Sequence, residues 1–185
     1  LSLGAYLYHT SRPAVRELLP DVDSEARHFT PTDELPLSLP QCPQLRLVRI
    51  EGALFFGAVP HVKQQLQTDA APHRQHVLAM VKSMNFVDLA AAEMWEKELA
   101  DRRAAGGDLY FHRPRRQVME TWERSGFLAR LGERNVFATK RDALQHIVPR
   151  LNPEICAKCK ARVFNECSTV PTSREIPHAG EESSE

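Results

Sequence analysis

The sequence predicts an α/β domain with a mixed, mostly parallel sheet of four to five strands, about four helices, and a β-hairpin at its start. Three observations carry this. Apolar runs of strand length fall at 45–50, 53–56, 77–81, 109–111 and 135–138. Stretches with helical spacing of apolar residues lie between most of them. Glycine or aspartate marks several of the boundaries. Strands that alternate with helices call for a parallel sheet with helices packed on it.

The elements follow in order. LRLVRI at 45–50 alternates apolar and basic residues, as a half-exposed strand does. Gly52 breaks it, and ALFF at 53–56 reads as the second strand of a tight pair. Val59, Val62 and Leu66 form a helical stripe over 58–67, with Pro60 near the start, where proline is tolerated. VLAMV at 77–81 is a continuous apolar run, the mark of a buried central strand. After a turn over 82–87, Asp88 caps a long helix to about Ala105, with Leu89, Ala92, Trp95 and Leu99 as its apolar face. Gly106 and Gly107 stop it. LYF at 109–111 is a strand, and 115–125 a helix that ends at Gly126. NVFA at 135–138 is a short strand, and 140–150 the last helix.

Composition narrows the function. The 185 residues carry 24 basic and 24 acidic side chains and no net charge. That argues against general nucleic-acid binding, which needs a strong basic field. No apolar run reaches the ~18 residues of a membrane span. Four unevenly spaced cysteines do not make a secreted disulfide framework and fit a reducing compartment.

The N-terminal region has its own character. LSLGAYLY opens the chain, followed by Arg12 and Arg16. There is no basic n-region before it and no cleavage motif after it, so it reads as a poor signal peptide. Residues 1–12 read either as the end of a transmembrane helix, with Tyr6 and Tyr8 at the headgroup level and positive charge beyond, or as a short amphipathic segment. Residues 13–43 hold prolines at 13, 20, 31, 36, 40 and 43 with acids between them, and read as a semi-rigid linker. The domain proper covers 44–151, and 152–185 is a cysteine-containing extension with a disordered tail.

RIEGALFF at 49–56, the Val87-Asp88 pair after a buried strand, and RSGF at 124–127 carry a family resemblance. With the apolar start running into TSRP and a proline-rich linker, they resemble the C-terminal STAS domain of bacterial SulP-type anion transporters, the sulfate permease family. The resemblance spans roughly 1–151 and favours the transmembrane reading of residues 1–12. It implies that this is the cytoplasmic regulatory and assembly module of a multi-pass inner-membrane carrier for sulfate, bicarbonate or a similar anion. Its partners would be the transmembrane part of the same polypeptide, a second copy in a homodimer, or a cytosolic protein. The alternative is a free-standing switch like the anti-sigma-factor antagonists, which bind a partner or nucleotide.

In those antagonists the helix after the central strand begins D-S-[ST]-G, and the first serine is phosphorylated. Here Asp88-Leu89-Ala90-Ala91 stands there, and Leu89 has no hydroxyl. No phosphorylation is expected at the family position; Ser83 lies outside the motif. The same loop, Asn85, Asp88, Leu89 and Ala90, is a candidate ligand or partner site, because a helix N-terminus attracts anions. The Asp88 carboxylate competes with that and serves equally as a plain N-cap.

The basic run around Arg113, Arg115 and Arg116 is a candidate contact for anionic lipid or an acidic partner, at ~1 kcal/mol per charge near a membrane. It also reads as a solvated loop. Cys156, Cys159 and Cys167 form a C-x2-C-x7-C pattern, three candidate ligands for zinc or an iron–sulfur group. His178, a water, Cys42 or a second subunit would supply the fourth. The competing reading is three reduced thiols on an extension packed by Val163 and Phe164. No further cofactor is expected. No Ser/His/Asp or Cys/His set has the local context of a catalytic motif, and His146 reads as structural, so no enzyme is expected.

Overall fold

The computed structural model describes residues 2–20, 28–32, 39–68 and 74–172. Helix α1 (Leu3–Thr10) leads into strand β1 (Ala14–Pro20), followed by β2 (Phe29–Pro31) and the long β3 (Leu45–Leu54). Then come α2 (Val59–Gln67), β4 (His76–Met80), β5 (Met84–Val87), α3 (Leu89–Ala104) and β6 (Leu109–His112). Helices α4 (Arg116–Ser125) and α5 (Phe127–Leu131), strand β7 (Val136–Phe137), and helices α6 (Lys140–Ile147) and α7 (Pro153–Lys158) complete it. The strand order is β2-β1-β3-β4-β6-β7, with β5 paired to the end of β3. β1 is antiparallel to β2 and β3; β3, β4, β5, β6 and β7 pair in parallel.

The α/β class and the mixed, mostly parallel sheet are as expected, but among the described residues there are seven strands and seven α-helices. Residues 45–50 and 53–56 are not a hairpin. Leu45–Leu54 is one strand, kinked at Gly52, where φ is +97° and the register shifts. Gly52 donates its amide to Ser83 O at 3.0 Å, so the strand continues onto β5 instead of folding back. The 82–87 turn therefore contains a strand.

Nor is LRLVRI half-exposed. Strand β3 is central, and Arg46 is buried because Glu17 on β1 accepts from it at 3.3 Å. The 13–43 stretch, expected as linker, contributes β1 and β2; 21–27 and 33–38 lie outside the described residues. The helix expected over 140–150 is α6, which stops at Ile147 and tightens into a 3-10 turn, Val148–Arg150, where Pro149 removes a helical donor; α7 follows it.

Period-two alternation sends side chains to two cores. Val48, Ile50, Val77, Ala79, Leu109 and Phe111 face α2 to α5, meeting Val62, Leu66, Trp95, Leu99, Trp122 and Phe127. Phe111 sits among aromatics, 4.5 Å from Trp122 and 5.1 Å from Trp95 between ring centres. Leu45, Leu47, Leu78 and Tyr110 face the other way, against Leu144, Ile147, Val163 and Phe164. The C-terminal extension thus covers part of one face of the sheet.

Buried charge is matched by partners. Glu98 and Arg102, one turn apart on α3, pair at 2.6 Å. Arg102 and Arg46 both donate to Leu66 O, at 3.5 and 3.0 Å, and neutralise the carbonyl end of α2.

Candidate functional site

The two edges of the parallel strands differ in chemistry. At the carboxyl edge, β5 delivers Asp88 to the start of α3. Its Oδ1 accepts the Ala91 amide at 2.9 Å and its Oδ2 the Phe56 amide at 2.8 Å. The Asp88 amide in turn donates to Leu54 O at 3.2 Å. The carboxylate is an N-cap, and it also anchors the chain leaving β3. One oxygen occupies an amide in the first turn of α3 and the other an amide of the chain leaving β3, so the carboxylate acts as an N-cap in this structure.

Around this joint the surface is apolar. Leu89 is 62% exposed, Phe56 74% and Phe86 41%. Asn85 is exposed and Ala90 half-buried. No hydroxyl stands in the first turn of α3.

The basic run lies at the same edge. Arg113, Arg115 and Arg116 line a shallow cleft with Lys82, Met119 and Phe137. Arg115 Nε donates to Lys82 O at 2.9 Å, while Arg116 pairs with Glu120 at 2.8 Å. Arg113 adopts φ +54°, and its amide donates to Phe137 O at 2.9 Å. Beneath them, burial first and then Lys140 and Arg113 push the His112 imidazole down to about 4. The sequence did not single out Lys82; only the parallel pairing of β4 with β6 brings it here.

Strand β1 starts at this edge as well. Ala14 pairs with Glu51, near the end of β3, so α1 enters beside the cleft end of the sheet. Arg12 lies over the Tyr8 ring at 4.5 Å. Among the described residues, no helix is long and apolar enough to cross a membrane.

The opposite, amino edge carries the thiols. Cys156 sits on α7, Cys159 just after it, and Cys167 on a 3-10 turn, Asn165–Thr169. They share one cavity with Cys42, and His178 lies outside the described residues. Among the described residues, no three His, Cys, Asp or Glu side chains are arranged to hold a metal ion as they stand. Val163 and Phe164 are buried, as the packed-extension reading expects. His146 lies against Phe137 and Tyr110, at 5.2 and 6.2 Å between ring centres, as a structural residue does.

The STAS domain family matches residues 37–143. The chain belongs to the STAS domain family.

No curated protein matches this STAS chain in sequence. Among solved structures, it is similar to the murine solute carrier 26 family member A9 anion transporter, inward-facing, with TM-score 0.63 and 14% identity. The match covers 78% of this chain and 24% of that one. A structure of SLC26A9 matches at TM-score 0.66 and 12% identity, over 82% of this chain and 27% of that one. A sulfate transporter family protein from Wolinella succinogenes matches at TM-score 0.53 and 18% identity, over 71% and 98%. The chain thus spans about a quarter of the length of the transporters it resembles. Likeness at this level of identity shows the fold.

Proposed function

We propose that this STAS domain is the cytoplasmic regulatory and assembly module of a multi-pass, inner-membrane secondary carrier for an inorganic anion such as sulfate or bicarbonate. The observation that carries the reading is the way the chain enters the sheet. Helix α1 joins β1 at the carboxyl edge, the edge that also holds Lys82, Arg113 and Arg115. A membrane reached through α1 would face that cationic cleft, which suits anionic headgroups. The likeness to transporter-borne domains supports the same reading. The exposed Phe56, Phe86 and Leu89 offer an apolar contact to the transmembrane part or to a cytosolic partner. A free-standing switch of the antagonist type would need a hydroxyl at position 89, where leucine stands.

The test starts from the gene. The reading frame upstream of Leu1 is sequenced, and its whole product is expressed in cells lacking sulfate permeases. The proposal expects several apolar spans upstream, a product in the membrane fraction, and anion uptake that changes when residues 14–172 are deleted. A start codon close by and a product in the soluble fraction overturn it.

A further inference from the structure

The cysteines of this chain come from three separate stretches, yet all four line one cavity. Cys42 precedes β3, Cys156 and Cys159 belong to the end of α7, and Cys167 follows eight residues later. With Leu151, Val163 and Arg162 among its neighbours, the quartet lines a cavity of about 20 Å³. That is room for about one water-sized body. None of the four is in a disulfide.

We propose that Cys42, Cys156, Cys159 and Cys167 form a tetrathiolate site for a single zinc ion. Zinc in structural sites takes four such ligands in a tetrahedron, and C-x2-C is the spacing that lets two of them share one ion. The fold supplies the fourth ligand, which the C-terminal pattern alone leaves open. The cavity has room for one ion.

The surroundings fit the charge. The Leu45 amide donates to Cys42 Sγ at 3.4 Å and Gln44 Nε2 to Cys156 Sγ at 3.2 Å. Such outer donors orient and stabilise metal-bound thiolates. Arg162, in the wall, has φ +36°, a costly conformation for a residue other than glycine. Its guanidinium donates to Cys167 O and, at 2.5 Å, to Val170 O, which fixes the loop between Cys159 and Cys167. It also places a positive charge beside a group that would carry two negative ones.

Among the described residues the sulfurs are not arranged to hold an ion as they stand. Ligation replaces four S–H protons by one Zn2+ and releases four H+. Each sulfur can swing about its single χ1 between staggered positions to reach the ion.

The test uses the full 185-residue chain, reduced, stripped with a chelator, then titrated with Zn2+ alone and with Co2+ alone. The proposal expects one equivalent of either metal and a cobalt spectrum with intense tetrahedral bands and thiolate charge transfer of a four-sulfur site. Zinc raises the melting temperature. Cys42→Ser and Cys167→Ser each weaken zinc binding by at least about 100-fold, beyond the loss typical of an outer-shell change. No zinc uptake, a pale octahedral cobalt spectrum, or stoichiometric tetrahedral binding that survives Cys42→Ser overturns it. Should a variant fail to fold, the wild-type cobalt spectrum decides alone, because its charge-transfer intensity counts the sulfurs.

Discussion

The carboxylate of Asp88 accepts the backbone amide of Phe56 at 2.8 Å, across 32 residues of sequence. Its other oxygen caps α3 through Ala91. One side chain thus ties the end of β3 to the start of the main helix. Asp88→Ala removes both bonds and should cost about 2 kcal/mol, a cap plus a charge-assisted hydrogen bond. Asp88→Asn keeps one acceptor and should cost about half as much. Urea denaturation of the three chains checks this; equal stability of Asp88→Ala and the natural protein would sink the account.

Leu89 is exposed and makes no core contact, so Leu89→Ser should change stability by no more than about 0.5 kcal/mol. The natural chain should take no phosphate over residues 83–93, where Ser83 is the one hydroxyl. Kinase labelling followed by mass spectrometry reads this directly. A phosphate in that window counts against the assignment of a switchless domain.

Arg102 donates to Glu98 and to carbonyls of Leu66, Arg74 and Gln75 from a buried position. Arg102→Ala leaves Glu98 charged and buried without this partner. The expected loss is about 3–5 kcal/mol, the range for breaking one half of a buried pair. The double change Glu98→Leu with Arg102→Met should recover part of it, since no charge then stays stranded. A double variant no more stable than Arg102→Ala would contradict that.

His112 makes stability depend on pH. Its folded value is pulled to about 4 by burial, then by Lys140 and Arg113, with Lys82 adding to the effect. The unfolded chain binds this proton near 6.5. Stability is therefore full above about 6.5 and falls as pH drops toward 4, by up to about 3 kcal/mol. His76 and His146 are lowered too, chiefly by burial, and act in the same direction. His112→Gln should flatten the slope of urea midpoint against pH between 4 and 6.5. An unchanged slope would show that His112 is not the titrating group.

Much of the parallel core was legible because its signals are local. VLAMV at 77–81 could only be a buried strand, Asp88 announced a cap, and Gly126 ended α4 with φ +81°. What escaped depended on partners distant in sequence. Arg46 looked like a solvent-facing residue until Glu17 came to lie beside it, and Glu17 stood in a proline-rich stretch without periodicity. Gly52 read as a turn because nothing nearby revealed that Ser83 would receive its amide. At the candidate sites, spacing exposed the C-x2-C-x7-C pattern and the RPRR run. Their companions Cys42 and Lys82 lie 114 and 31 residues before Cys156 and Arg113, and only the sheet brings them in.

The separation of thiols and arginines to opposite edges of the sheet has an electrostatic consequence. The five-residue β4 runs between those edges, and at ~3.3 Å per residue it covers about 17 Å. At physiological ionic strength that is about two Debye lengths. Through solvent, each edge is nearly blind to the other's charge. Through solvent, a charge gained or lost among the cysteines leaves the potential at the cationic cleft almost unchanged. Coupling between the two runs instead through the protein interior, by the packing of the strands and by a field that salt screens less there.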